Sequence, residues 1–217
     1  MSDTNTSGPT KAFDQWVTTF FGGSNWPTDQ IRLSAPVAIN FVTRLCENAW
    51  DILSPFPDDS VANGLEGIFL DSSDYPPNLL VEDVPWPDRK RCAKSMFFLF
   101  EQYFSRKCAP LFGTGGTVTP GLDHICFMWW DRFPFQCSPA GDSPSRMIGW
   151  ELLEVMRLCL TLDSPACWES GLHGLNHWQP DYPSEVAAYV DDFLARNPNL
   201  NSELRAYALK ARQGDAQ

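Results

Sequence analysis

A chain of 217 residues with 43% hydrophobic residues, nine Trp and 15 Phe carries enough apolar side chain for a sizeable, aromatic-rich core. Its net charge of −11 and pI near 4.6 argue against nucleic acid or an anionic membrane surface as partner. No run approaches the roughly 18 uninterrupted apolar residues of a membrane helix, and the polar start Met1–Pro9 has no secretory character.

In chain order, residues 1–10 read as a disordered tail, 11–212 as a single helical domain, and 213–217 as a second tail. The first predicted helix, 11–21, is ended by Gly22-Gly23. Ser34-Ala35-Pro36 opens a second, with Ala38, Phe41, Leu45, Ala49, Ile52 and Leu53 on one stripe until Pro55 and Pro57 stop it. Asp58 or Asp59 caps a helix through about Leu70, and 71–77 is loop. Pro85-Trp86-Pro87 precedes the longest amphipathic helix, 87–108, whose apolar face carries Cys92, Met96, Leu99, Phe100, Tyr103 and Phe104. The glycine-rich stretch 113–119 lacks the Lys-Ser/Thr and the preceding strand of a phosphate loop and reads as a connector. Residues 122–135 hold the apolar run Ile125–Trp130, which as a helix apolar all round belongs at the centre of its domain.

The last 73 residues repeat a simple unit. Helix starts at Ser145, Ser164, Ser184 and Ser202 are spaced by 19, 20 and 18 residues, each with a serine cap and an apolar stripe. Short connections make neighbouring helices antiparallel, and two helices per roughly 38 residues approach the period of HEAT and armadillo repeats. No strand pattern occurs, so the fold class is all-α, with antiparallel helix pairs stacked as in a HEAT-like α-solenoid. The sharpest of these helices is 164–178: Ser164 caps it, Pro165 suits its first position, and Gly171 and Gly174 leave a small-residue face for close packing. Seven scattered cysteines without a C-x-x-C pair read as unpaired thiols in a reducing, cytoplasmic compartment.

Two features carry candidate function. From Leu45 to Asp88 there is no Lys or Arg, while Glu47, Asp51, Asp58, Asp59, Glu66, Asp71, Asp74, Glu82, Asp83 and Asp88 supply ten negative charges. The basic cluster Arg89, Lys90, Arg91 and Lys94 follows at once. Glu169, His173 and His177, four apart, form a second candidate along one helix face, a carboxylate and two imidazoles that suit a transition metal. A fourth donor would come from Glu151, Glu154 or His124. The plainer reading makes this stripe structural: Glu169 suits the early helix dipole, His177 suits its end, and His173 bonds a backbone carbonyl. Cys126 with His173 is a conceivable nucleophile pair that nothing in the sequence selects, and no G-x-S-x-G elbow is present.

Val84–Arg89, Cys126–Asp131 (Cys-Phe-Met-Trp-Trp-Asp) and Glu169–Trp178 together resemble signatures of a group of bacterial proteins without an assigned activity. That resemblance implies a bacterial, cytosolic origin and carries over no site. The helix core at 169–178 is also similar to those of HEAT-like repeats. The leading expectation is a non-enzymatic protein-binding module, most specifically an acidic immunity protein that neutralises a basic toxin or effector through the acidic segment 45–88, with no cofactor and no metal. The alternative is a metal-dependent enzyme using Glu169, His173 and His177.

Overall fold

The computed structural model of the protein describes residues 7–23, 33–69, 76–112, 121–133 and 144–216. Every element among them is helical, as the periodicity predicts. In order these are α1 (Ser7–Phe21), α2 (Ala35–Glu47), α3 (Ala49–Leu53), α4 (Asp58–Phe69), a 3-10 turn (Pro76–Leu80) and α5 (Trp86–Leu99). The last runs on through a π-helical turn (Phe100–Phe104) into α6 (Ser105–Lys107). Then come α7 (Leu122–Phe127), which tightens into a 3-10 turn (Met128–Arg132), α8 (Pro144–Cys159), α9 (Pro165–Trp178), α10 (Pro183–Arg196) and α11 (Ser202–Ala211). Residues 1–6 of the tail expected over 1–10, residues 71–75 of the loop expected over 71–77, the connector at 113–119 and Cys137 lie outside the described residues, while 7–10 and 76–77 are helical.

The departures from expectation have local causes. α1 begins at Ser7, ahead of the predicted start at 11. The helix expected from 35 to 53 breaks at Asn48 (φ −125°, ψ 35°), whose side-chain amide donates to the Arg44 carbonyl at 3.0 Å. Such a bond offers the backbone an alternative to the helix ladder. The helix expected over 122–135 changes pitch at Met128 (φ −83°, ψ 9°), where the consecutive Trp129 and Trp130 both enter the core. Of the serine caps expected in the C-terminal part, Ser164 makes its cap bond, accepting from the Cys167 amide at 3.4 Å. α8 and α10 begin one residue earlier, at Pro144 and Pro183, where a fixed φ suits the first turn. α11 is capped by Asn201, whose Oδ1 accepts from the Leu204 amide at 2.8 Å.

The core is as aromatic as the composition implies. Trp129 and Trp130 are fully buried; Phe100 stacks on Trp130 at 5.7 Å between ring centres, and Phe69 meets Trp129 at 4.5 Å. Cys46, Cys92, Cys126, Cys159 and Cys167 are buried free thiols, and burial pushes Cys92 up to about 12. They act here as small apolar side chains. No helix among the described residues is long and apolar enough to cross a membrane.

α5 lies between α2 and α8, and α8 packs along α9. α9 also receives α7, the Met128–Arg132 turn, α10 and α11, so it is enclosed on several sides. Its glycines allow that enclosure. A Cβ on Gly171 would stand 2.9 Å from the Met156 carbonyl oxygen of α8, and one on Gly174 would stand 2.6 Å from the Trp130 ring. Close packing thus offsets the roughly 1 kcal/mol that each glycine costs a helix interior. Gly174→Ala is expected to lower stability by about 1–3 kcal/mol, the usual cost of overpacking, although alanine is the better helix former. Urea unfolding checks this, and a variant as stable as the parent would mean that Trp130 does not sit against α9.

Candidate functional site

Two elements far apart in sequence meet at one face of α9. His173 and His177, one turn apart, project from the same side of the helix. Opposite them, the Met128–Arg132 turn buries Trp129 and Trp130, and Trp130 rests on Gly174. The next residue, Asp131, therefore emerges beside the two imidazoles.

The contacts are close. Asp131 Oδ1 lies 2.6 Å from His173 Nε2 and 3.1 Å from His177 Nε2, and the two Nε2 atoms are 3.3 Å apart. The other ring nitrogen of His173, Nδ1, lies 2.8 Å from the Tyr207 hydroxyl on α11. The Phe127 ring packs over His173 at 4.4 Å between ring centres. Exposure is graded across the cluster: 12% for the His173 side chain, 21% for Asp131 and 47% for His177, so the His177 side opens to solvent. Burial alone would raise the Asp131 carboxyl, yet hydrogen bonds from His173 and His177 hold it well below the usual carboxylate range. The same bond raises His177, against a smaller opposing effect of burial.

Three donor atoms of the kinds that ligate first-row divalent metals thus converge on one point: two imidazole nitrogens and a carboxylate oxygen. Bonds of about 2.0–2.1 Å at tetrahedral or octahedral angles would set neighbouring ligand atoms about 2.8–3.4 Å apart. Two of the observed separations, 3.1 and 3.3 Å, fall within that spacing, and the third, 2.6 Å, is a hydrogen bond that an ion would replace.

The expected stripe is therefore only partly assembled. His173 and His177 come together, but Glu169 does not join them. Its carboxylate, 1% exposed, faces the segment after α6 and accepts the Leu111 amide at 2.6 Å and the Phe112 amide at 2.9 Å. His173 bonds a carboxylate and a phenol, not the backbone carbonyl that the plainer reading assigns it. Of the proposed fourth donors, Glu151 pairs with Lys90 at 2.5 Å and Glu154 with Arg157 at 2.5 Å, while His124 lies on α7 outside the group formed by Asp131, His173 and His177. Cys126 points to the Ala166 carbonyl at 4.0 Å and does not meet His173. Sequence reading missed Asp131 and Tyr207. The signal for Asp131 was an acidic residue ending a buried aromatic run; Tyr207 sits in an apolar stripe and gave none.

The acidic segment is distributed over α2 to α5. Glu47 forms a two-pronged pair with Arg91, both contacts at 2.7 Å, and Asp58 pairs with Lys107 at 2.9 Å. Asp51, Asp59, Glu82 and Asp83 are exposed, Glu66 is half-buried, and Asp71 and Asp74 lie outside the described residues. Asp88 and Arg91 line a shallow groove with Pro36, Ile39, Asn40, Thr43 and Val84. Comparison with protein-family models, curated proteins and solved structures finds no match to this chain.

Glu169 gives a pH test. Burial, only partly countered by its two amide bonds, raises its pKa to about 6 from 4.5. A carboxyl raised on folding contributes stability that is fully present below its unfolded value and lost as pH rises through the folded one. Relative to Glu169→Gln, the parent should lose about 2 kcal/mol between pH 4 and pH 7. Chemical denaturation at both pH values measures the difference; a constant gap would mean that Glu169 is not desolvated.

Proposed function

We propose that Asp131, His173 and His177 form a divalent transition-metal centre and that the protein is a metal-dependent enzyme. The observation that carries this reading is the meeting of three donor atoms within 3.3 Å, delivered by a helix and by a turn 42 residues before His173. Two imidazoles and one carboxylate match the three-ligand sets of open, catalytic zinc sites and of non-haem ferrous sites. Structural zinc sites, by contrast, close with four protein ligands. The half-exposed His177 side leaves the remaining positions to water or substrate. An ion held there would supply Lewis acidity and bring the pKa of bound water toward neutrality. Phe127 and Tyr207 wall the inner side of the cluster, orienting His173 and excluding water from it. Relative to the alternative drawn from sequence, Asp131 takes the place of Glu169.

The test is a titration of the purified, chelator-treated chain with Zn²⁺ and Co²⁺. About one ion per chain should bind, and at 100 times its dissociation constant it should add about 2.7 kcal/mol of stability. Asp131→Asn, His173→Gln and His177→Gln should each weaken binding by tenfold or more. A chain that takes up neither ion, or three variants that bind as the parent does, would contradict the reading.

A second reading rests on a separate observation: Asp51, Asp59, Glu82 and Asp83 are exposed and form no ion pair among the described residues. They support a protein-binding role toward a basic partner, of which a bacterial, cytoplasmic immunity protein facing a basic toxin or effector is the most specific form. Fixed surface charge of one sign accelerates encounter with an opposite partner. Reversing these four to Lys should slow association with a captured basic partner about tenfold at low salt, with little change in dissociation. Stopped-flow kinetics at two ionic strengths decide it, and an on-rate indifferent to salt and to reversal would sink this reading.

A further inference from the structure

We infer that Tyr207 is the positioning residue of the metal centre, the side chain that lets His173 present Nε2 to an ion. The inference rests on the metal reading of Asp131, His173 and His177. Tyr207 lies on α11, is 7% exposed, and its hydroxyl stands 2.8 Å from His173 Nδ1. An imidazole that ligates through Nε2 carries its proton on Nδ1, and that N–H needs an acceptor. The Tyr207 oxygen is within reach to accept it. Without an ion the roles reverse: Nε2–H donates to Asp131 Oδ1 at 2.6 Å, and the Tyr207 O–H donates to Nδ1. A carboxylate or a backbone carbonyl in the same place could serve only the first arrangement, because neither donates. A phenol serves both, so loading the site strands no buried polar atom.

The phenol is itself held in place. The Phe112 ring packs on the Tyr207 ring at 4.6 Å between centres, and the backbone amides of Leu111 and Phe112 are tied to the Glu169 carboxylate. Glu169, a candidate ligand in the alternative sequence reading, thus acts on the centre at a distance, from Phe112 to Tyr207 to His173.

The experiment compares the parent, Tyr207→Phe and Phe112→Leu as full chains, by Co²⁺ titration followed in the visible spectrum and by melting of the metal-free protein. Tyr207→Phe keeps the ring and loses the hydroxyl. It should bind Co²⁺ about 10–100-fold more weakly than the parent, with an altered ligand-field band, while its metal-free helical signal is unchanged. Phe112→Leu keeps the hydroxyl but loosens its seat, and should weaken binding in the same direction by less. A parent that binds Co²⁺ while Tyr207→Phe binds within twofold of it overturns the positioning role and leaves the metal reading standing. Should Tyr207→Phe not fold, a Phe112→Leu chain that binds within twofold of the parent overturns it equally. A parent that binds no Co²⁺ overturns both.

Discussion

The contact between Gly174 and Trp130 is the constraint on which the site depends. A hydrogen in place of a side chain lets the Trp130 ring reach the α9 backbone, at a spot where even a methyl group would stand 2.6 Å away. That approach sets the depth of the Met128–Arg132 turn, and through it the place of Asp131. Trp130 is in turn fixed by stacking on Phe100, so α5 and its π-helical extension take part in aiming a carboxylate that they do not touch. An aromatic pair of this kind is worth about 0.5–1.5 kcal/mol beyond its buried area. Asp131 is therefore anchored through Trp130 in the aromatic core.

α9 serves several partners by dividing its polar groups among its faces. Glu169 satisfies two backbone amides after α6, and Asn176 exchanges a pair of 2.9 Å hydrogen bonds with the backbone of Ala216. His173 and His177 meet Asp131. Each buried polar atom on this helix that makes such a bond removes a penalty of about 1–3 kcal/mol for leaving it unpaired. Hydrogen bonds thus hold to α9 the segment after α6, the C-terminal end and the Met128–Arg132 turn. The Glu169 carboxylate is buried against the amides of Leu111 and Phe112, whereas Asp131 Oδ1 stands beside both histidines, so the two acids play different parts.

Much of the architecture was legible in the residues. The 3.6-residue periodicity and the proline and glycine punctuation gave the helices, Ser164-Pro165 gave the start of α9, and Gly171 and Gly174 announced its close packing. The four-residue spacing of the histidines placed them correctly on one face. Spacing along one helix, however, says nothing about the element opposite, so Glu169 looked equivalent to the histidines when its face turns to a different neighbour. Asp131 and Tyr207 became partners of His173 only through packing between elements 34 to 42 residues apart. The break at Asn48 turned on a side-chain bond to the backbone, and the starts of α8 and α10 turned on proline, both of which compete with the serine-cap rule at single-residue resolution.

The most direct test of the central claim is anomalous diffraction at the zinc edge from crystals of the intact chain grown with equimolar Zn²⁺. A single strong peak about 2.0–2.2 Å from Asp131 Oδ1, His173 Nε2 and His177 Nε2 is the predicted result. A zinc peak at Glu169 or elsewhere, with Asp131 still hydrogen-bonded to both histidines, would contradict it.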